Sequence, residues 1–264
     1  MRILTVLLLL ISGVAWAGTA NQIPNDGQRG TWFDTIDEDA RPYAYNFIQD
    51  NVRKGPNALR FELRDGDCYT ANPSNPSSGW DDCTRERDRA EVRERWEPKL
   101  DREVWYSFSF YIPNDYQYIN NPKQMFFQWH GGVWGPNAYF MIKKKNVYLD
   151  ILTQKHQTTM QYNLGEWEKG KWHDVVINVR WTNKANGFMK VWKNGKYLVE
   201  YKGATMDPET YATGHGPHVK YGIYISHKSR WEGPGKRPTH VLYFDEYRRS
   251  YKYPQVDIKN YSGD

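Results

Sequence analysis

Apolar and polar residues alternate with a period of two over most of this chain, the pattern of strands that bury one face. Residues 57–64 (NALRFELR) alternate, and 102–113 (REVWYSFSFYIP) places Val104, Tyr106, Phe108 and Phe110 on one side. Further strand-like runs occupy 124–130, 137–143, 147–152, 172–181, 220–226 and 240–250. Residues 188–201 (FMKVWKNGKYLVEY) read as a hairpin, because Asn194-Gly195 supplies the positive φ angles of a type I′ turn. No stretch carries the period of a long helix. Many short strands joined by Gly, Pro and Asn turns predict an all-β fold, a two-sheet β-sandwich of the jelly-roll kind. Residues 31–250 form one such domain, flanked by polar, peripheral segments at 18–30 and 251–264.

Composition sharpens this picture. The chain has 264 residues, 16% of them aromatic, which marks a folded chain. Its net charge of +5 suits an anionic ligand but is too diffuse for a nucleic-acid binder. Residues 1–17 (MRILTVLLLLISGVAWA) have a charged start, an apolar run and an A-x-A end at Ala15-Trp16-Ala17, with Ala20 a later alternative. These are the parts of a signal peptide, so the mature protein is expected to be secreted or periplasmic, with no membrane span after cleavage. The only two cysteines, Cys68 and Cys83, then pair as a disulfide closing a Pro/Ser/Gly-rich loop.

Candidate chemistry falls on three strands. In Arg89-Ala90-Glu91-Val92-Arg93, alternation sends Arg89, Glu91 and Arg93 to one face, two guanidinium groups around a carboxylate, suited to gripping an acid. In Gln128-Trp129-His130, Gln128 and His130 share a face with Gln124 and Phe126, leaving Met125, Phe127 and Trp129 for the core. An amide beside an imidazole can hold a carboxylate and take a proton. In Lys220-Tyr221-Gly222-Ile223-Tyr224, Lys220, Gly222 and Tyr224 align, and the missing side chain at Gly222 leaves room for a bound chain beside Tyr224.

In this order, RAEVR (89–93), QWH (128–130) and VKYGIYISH (219–227) resemble the jelly-roll polysaccharide lyases. Alginate lyases of that kind carry R-[ST]-E-[LV]-R, Q-[IV]-H and Y-F-K-A-G-x-Y-N-Q. RFELRDGDC, KWHDVVINVRW, VWKNGK and YFDEYRRS are closer to the glucuronan lyase and heparin lyase I-like branch. The resemblance spans roughly residues 30–250. It implies that Arg89 and Gln128 bind the substrate carboxylate. His130 is then the base or a neutraliser, and Tyr224 the acid and in some cases also the base. Arg93, Lys220 and Glu91 would line the same site, with Trp134 and Tyr139 available to stack sugar rings. Ala90, Trp129 and Ser226-His227 depart from the alginate pattern; the last departure puts an alginate substrate in doubt, while the catalytic roles are expected to survive.

The expected activity is β-elimination on an acidic, uronate-containing polysaccharide, most readily a glucuronan-type polymer, by a monomer that needs no cofactor. A structural Ca²⁺ occurs in some of these enzymes, although no contiguous Ca²⁺ loop is present. The alternative is a lectin-like module that binds acidic glycans without turnover. A hydrolase needs paired carboxylates, and Asp245-Glu246 point to opposite faces of their strand.

Overall fold

The computed structural model describes residues 23–24, 32–35, 41–70, 81–155 and 157–260. The expected signal peptide at 1–17 and residues 71–80 of the disulfide loop lie outside them. Among the described residues, fifteen strands form two antiparallel sheets, a jelly-roll sandwich. The larger sheet has the order β1-β2-β5-β14-β7-β8-β9-β10, and the smaller the order β13-β12-β11-β6-β15-β4-β3, in which β4 is Ala58–Leu63, β11 Trp172–Arg180 and β15 His240–Ser250. The site strands are β5 (Arg87–Glu94), β14 (His218–Ser226) and β7 (Lys123–Gly132). They lie side by side in the larger sheet, flanked by β8 (Gly135–Lys143) and β9 (Asn146–Ile151).

The alternating faces pack as their pattern demands. Val104, Tyr106, Phe108 and Phe110 of β6 (Glu103–Tyr111) are fully buried between the sheets. Phe108 stacks on Phe127 and Phe110 on Phe126, each pair with ring centroids 4.2 Å apart, so aromatic pairs join the two layers. The hairpin of β12 (Phe188–Lys193) and β13 (Lys196–Lys202) turns at Asn194 and Gly195 with φ of 51° and 77°. Both cysteines are joined, Cys68 to Cys83. No helix among the described residues is long and apolar enough to cross a membrane.

Several expectations need correction. The tail at 251–264 is not simply peripheral: Val256 is fully buried and Ile258 nearly so. In the segment 18–30, Ile23–Pro24 (β1) pairs with Trp32–Thr35 (β2). Two short strands, β3 (Tyr45–Ile48) and β10 (Met160–Glu166), lie at sheet edges where little side-chain burial imprints alternation. Strand β7 does not keep strict alternation either. It carries one more residue than β8 between Met125 and Phe127, and β14 carries one more than β7 between Tyr221 and Tyr224. These bulges put Phe126 and Phe127 both into the core, while Met125 goes to the opposite face beside Tyr139, Met141 and Tyr224.

Gly222 sits in the β14 bulge with φ 134°, a backbone state that favours glycine. A Cβ there would meet the Ala90 carbonyl oxygen at 2.2 Å and the Phe61 ring at 2.9 Å. Its missing side chain therefore serves strand packing and does not leave room for a bound chain.

Candidate active site

Alternation on β5, β14 and β7 sends Ala90, Val92, Tyr221, Ile223, Phe127 and Trp129 into the inter-sheet core. The intervening residues stand on the outer face of the larger sheet. Register then brings the three motifs together. Arg89 lies opposite Tyr224, Arg93 opposite Lys220, Lys220 opposite Gln128, and His130 opposite His218. Residues from sequence positions 89 to 224 thus share one patch, which supports the grouping drawn from the sequence.

A chain of polar contacts runs across the patch. The Arg89 guanidinium is gripped on one side by Asp82, through Nε to Oδ2 and through Nη2 to Oδ1 at 2.9 Å. Its Nη1 donates to Glu91 Oε2 at 3.2 Å. Gln128 Nε2 donates to Glu91 Oε1 at 2.6 Å. Arg89, Glu91 and Gln128 are all buried, which strengthens these charge-assisted bonds. The Tyr224 ring lies under the guanidinium, 4.7 Å from ring centroid to Cζ, a cation–π contact. Met125, Tyr139 and Met141 pack around the same tyrosine.

Protonation follows from burial and charge. Desolvation pushes the Tyr224 hydroxyl up to about 12, against the pull of Arg89 and Arg87. Desolvation, helped by the nearby Lys220 and His218, holds His130 well below its ordinary 6.5. Lys220 comes down to about 8, first from desolvation and then from Arg89. Desolvation raises Glu91, opposed by Arg89. At neutral pH the face therefore offers a protonated tyrosine, a neutral imidazole and fixed cations, the parts needed to move one proton off and another on beside a bound anion.

Other expected residues are placed differently. Arg93 is exposed at the rim of the patch. Tyr139 is 2% exposed, and its hydroxyl donates to Asp150 Oδ2 at 2.6 Å, so it seats Tyr224 and has no open face for a sugar. Trp134 lies in the turn beyond His130. Its Nε1 donates to Glu209 at 2.7 Å, and the Lys155 ammonium covers one ring face at 3.5 Å. Two residues escaped the sequence reading. Asp82 escaped because its contact with Arg89 crosses from a loop to a strand. His218 lies just before the strand-like run expected at 220–226, yet it opens β14, with its ring 5.8 Å from that of His130. Desolvation lowers it to about 3. Among the described residues, no cluster of three or more His, Cys, Asp or Glu side chains is arranged to hold a metal ion.

No contact joins Tyr224 to His130. Tyr224 pairs with Met125, five residues before His130 on β7, about 16 Å of strand. A ligand bound by both side chains must lie between them.

Comparison with known proteins places the fold and the family. The structure is similar to an endo-β-1,4-glucuronan lyase from the fungus Trichoderma reesei, with TM-score 0.64 and 19% identity over 88% of this chain and 96% of that one. It is also similar to alginate lyase A1-II′ of polysaccharide lyase family 7, with TM-score 0.54 and 14% identity over 80% and 84% of the two chains. Alginate lyase PA1167 from Pseudomonas aeruginosa gives TM-score 0.53 and 17% identity over 89% and 100%. At these identities the likeness establishes the jelly-roll fold. A search of curated protein sequences finds no match. The polysaccharide lyase family model matches residues 19–248, nearly the whole chain and all three site strands, so this protein belongs to the polysaccharide lyase family.

Proposed function

We propose that the protein is a secreted lyase that cleaves a uronate polymer of the glucuronan type by β-elimination, leaving a C4–C5 unsaturated uronate end. The observation that carries this reading is the buried Arg89–Glu91–Gln128 cluster with Tyr224 stacked on the guanidinium. The likeness to the glucuronan lyase supports the polymer class, and Ile225-Ser226, where the alginate lyase motif carries Asn-Gln, supports a substrate other than alginate. The Cys68–Cys83 disulfide and the apolar N-terminal segment support export from the cytosol.

The proton at C5 of a uronate lies next to a carboxylate, so removing it builds a second negative charge on that group. In this reading Arg89 and Gln128 hold the carboxylate and stabilise the developing charge, with Lys220 adding a nearby cation. The neutral His130 takes H5. The C5–H electrons form the C4–C5 double bond, the C4–O4 bond breaks, and Tyr224 delivers its proton to O4. Atoms balance without water or a redox partner. In β-linked glucuronate H5 and O4 share one face of the ring, so both groups must reach that face. In guluronate they lie on opposite faces.

The test is an ultraviolet assay of the mature chain against glucuronan, polymannuronate, polyguluronate, heparin, heparan sulfate and hyaluronan. Growth of the unsaturated-uronate band is expected with glucuronan first. A folded sample that leaves every polymer intact, with and without Ca²⁺, overturns the assignment.

A further inference from the structure

The proposed reaction makes no direct use of Asp82, which is firmly built into the site. It is fully buried and holds Arg89 through both carboxylate oxygens. Its backbone is fixed in turn. Its N–H donates to the Tyr69 carbonyl at 2.7 Å, and its carbonyl accepts the N–H groups of Arg85 and Arg87 at 3.2 and 2.9 Å. The next residue is Cys83, bonded to Cys68, with Cα atoms 5.0 Å apart. On the other side Asp81 accepts the backbone N–H of Cys83 at 2.8 Å and of Thr84 at 3.2 Å. The disulfide and the carboxylate that orients Arg89 are thus neighbours in one tightly bonded turn.

Arginine has five N–H donors in a planar fork. Asp82 occupies the Nε–Nη2 side and Glu91 takes one donor of Nη1. The end of the fork, with one N–H on each terminal nitrogen, is left for a substrate carboxylate. Asp82 holds two of the guanidinium nitrogens and so does most to set the rotation of the plane, with Glu91 on a third nitrogen and the Tyr224 ring on one face. Without Asp82, one bond to Glu91 and the ring contact would remain, and a plane lying on the ring could still turn within it, carrying the remaining N–H pair away from its target. A buried ion pair is often no more stabilising than an apolar replacement, so stability alone does not account for placing Asp82 here, whereas orientation of Arg89 does.

We propose that Asp82 is a positioning residue for Arg89 and that the Cys68–Cys83 disulfide holds it in place, so that disulfide formation completes the carboxylate-binding site. This rests on the reading of Arg89 as the group that grips the uronate. It gives the disulfide a role in the chemistry, and it ties full activity to an oxidising compartment.

The experiment compares wild type with Asp82→Asn and with the double variant Cys68→Ser/Cys83→Ser, using two readouts. One is steady-state kinetics per folded enzyme on the polymer that wild type cleaves. The other is the side-chain Nε–H resonance of Arg89, identified by its loss in Arg89→Lys, and its exchange with solvent. Both variants should lose tenfold or more in kcat with KM within about threefold, and Arg89 Nε–H should exchange at least tenfold faster. If the double variant does not fold, the folded wild type is treated with dithiothreitol. That reagent breaks the S–S bond to two thiols, is itself oxidised to its cyclic disulfide, and should produce the same loss, reversed on reoxidation. A disulfide-free enzyme that keeps wild-type kcat and a protected Arg89 Nε–H overturns the proposal. If wild type cleaves no uronate polymer, the lyase assignment fails separately, and the resonance alone decides whether the disulfide orients Arg89.

Discussion

Arg89 and Tyr224 face each other across β5 and β14, the guanidinium carbon 4.7 Å from the centre of the phenol ring. The contact joins the group proposed to hold the carboxylate to the group proposed to protonate the leaving oxygen. Burial keeps the phenol protonated while the cation stays close enough to stabilise the phenolate left after proton transfer.

Tyr224→Phe removes the donor and keeps the ring on the guanidinium. Turnover should vanish, while the Kd for a uronate oligosaccharide should shift by only the ~0.5–1.5 kcal/mol of one hydrogen bond. Binding by calorimetry and turnover by absorbance check this. Retained turnover in the variant removes Tyr224 as the acid.

Arg89→Lys keeps a charge but loses the fork that Asp82 and Glu91 share. By comparison with removal of one preorganised donor elsewhere, kcat/KM should fall roughly 10²–10³-fold. Steady-state kinetics on wild type and variant measure the ratio. A loss below threefold would show that the fork is not what stabilises the developing charge.

The pH profile should be bell-shaped. His130 must be neutral to accept H5, and its pKa lies well below 6.5, so the acid limb should fall below that pH. Lys220 loses its charge near pH 8, and with it one cation beside the carboxylate, so activity should decline above that pH. In Lys220→Arg the charge persists and the upper limb should move to higher pH. A profile identical in the two enzymes would exclude Lys220 from the titration.

Gly222→Ala should destabilise the fold. The φ of 134° costs a non-glycine residue ~1–3 kcal/mol, before the contact at 2.2 Å with the Ala90 carbonyl is relieved. For a chain of this size each kcal/mol lowers Tm by roughly 2–4 °C. Thermal melting of the variant provides the check. An unchanged Tm would mean that the β14 bulge yields freely.

Much of this architecture was legible in the linear order of residues. Period-2 runs located the strands whose faces are buried, because burial of one face imposes alternation on the chain. Val104 to Phe110 show it most clearly, all four of their inward side chains being fully buried. Asn194-Gly195 marked its hairpin because few other residues adopt two successive positive φ angles. Two cysteines in a chain expected to be exported left one disulfide to form. The RAEVR, QWH and VKYGIY segments could be proposed as neighbours, since each offered polar side chains on one strand face.

Tertiary structure decided the rest. The bulges in β7 and β14 shift register by one residue, which reverses the faces of Met125 and Phe126 and turns Gly222 into a packing requirement. Strict alternation along a sequence cannot contain such a shift, because it arises from matching one strand to two neighbours at once. The role of Asp82 depends on a loop folding back on a strand, and that of Tyr139 on the depth at which Asp150 is buried. Local pattern determines which face of a strand is polar. Only long-range packing determines which polar groups meet there, how deeply they are desolvated, and so which of them hold or release a proton at neutral pH.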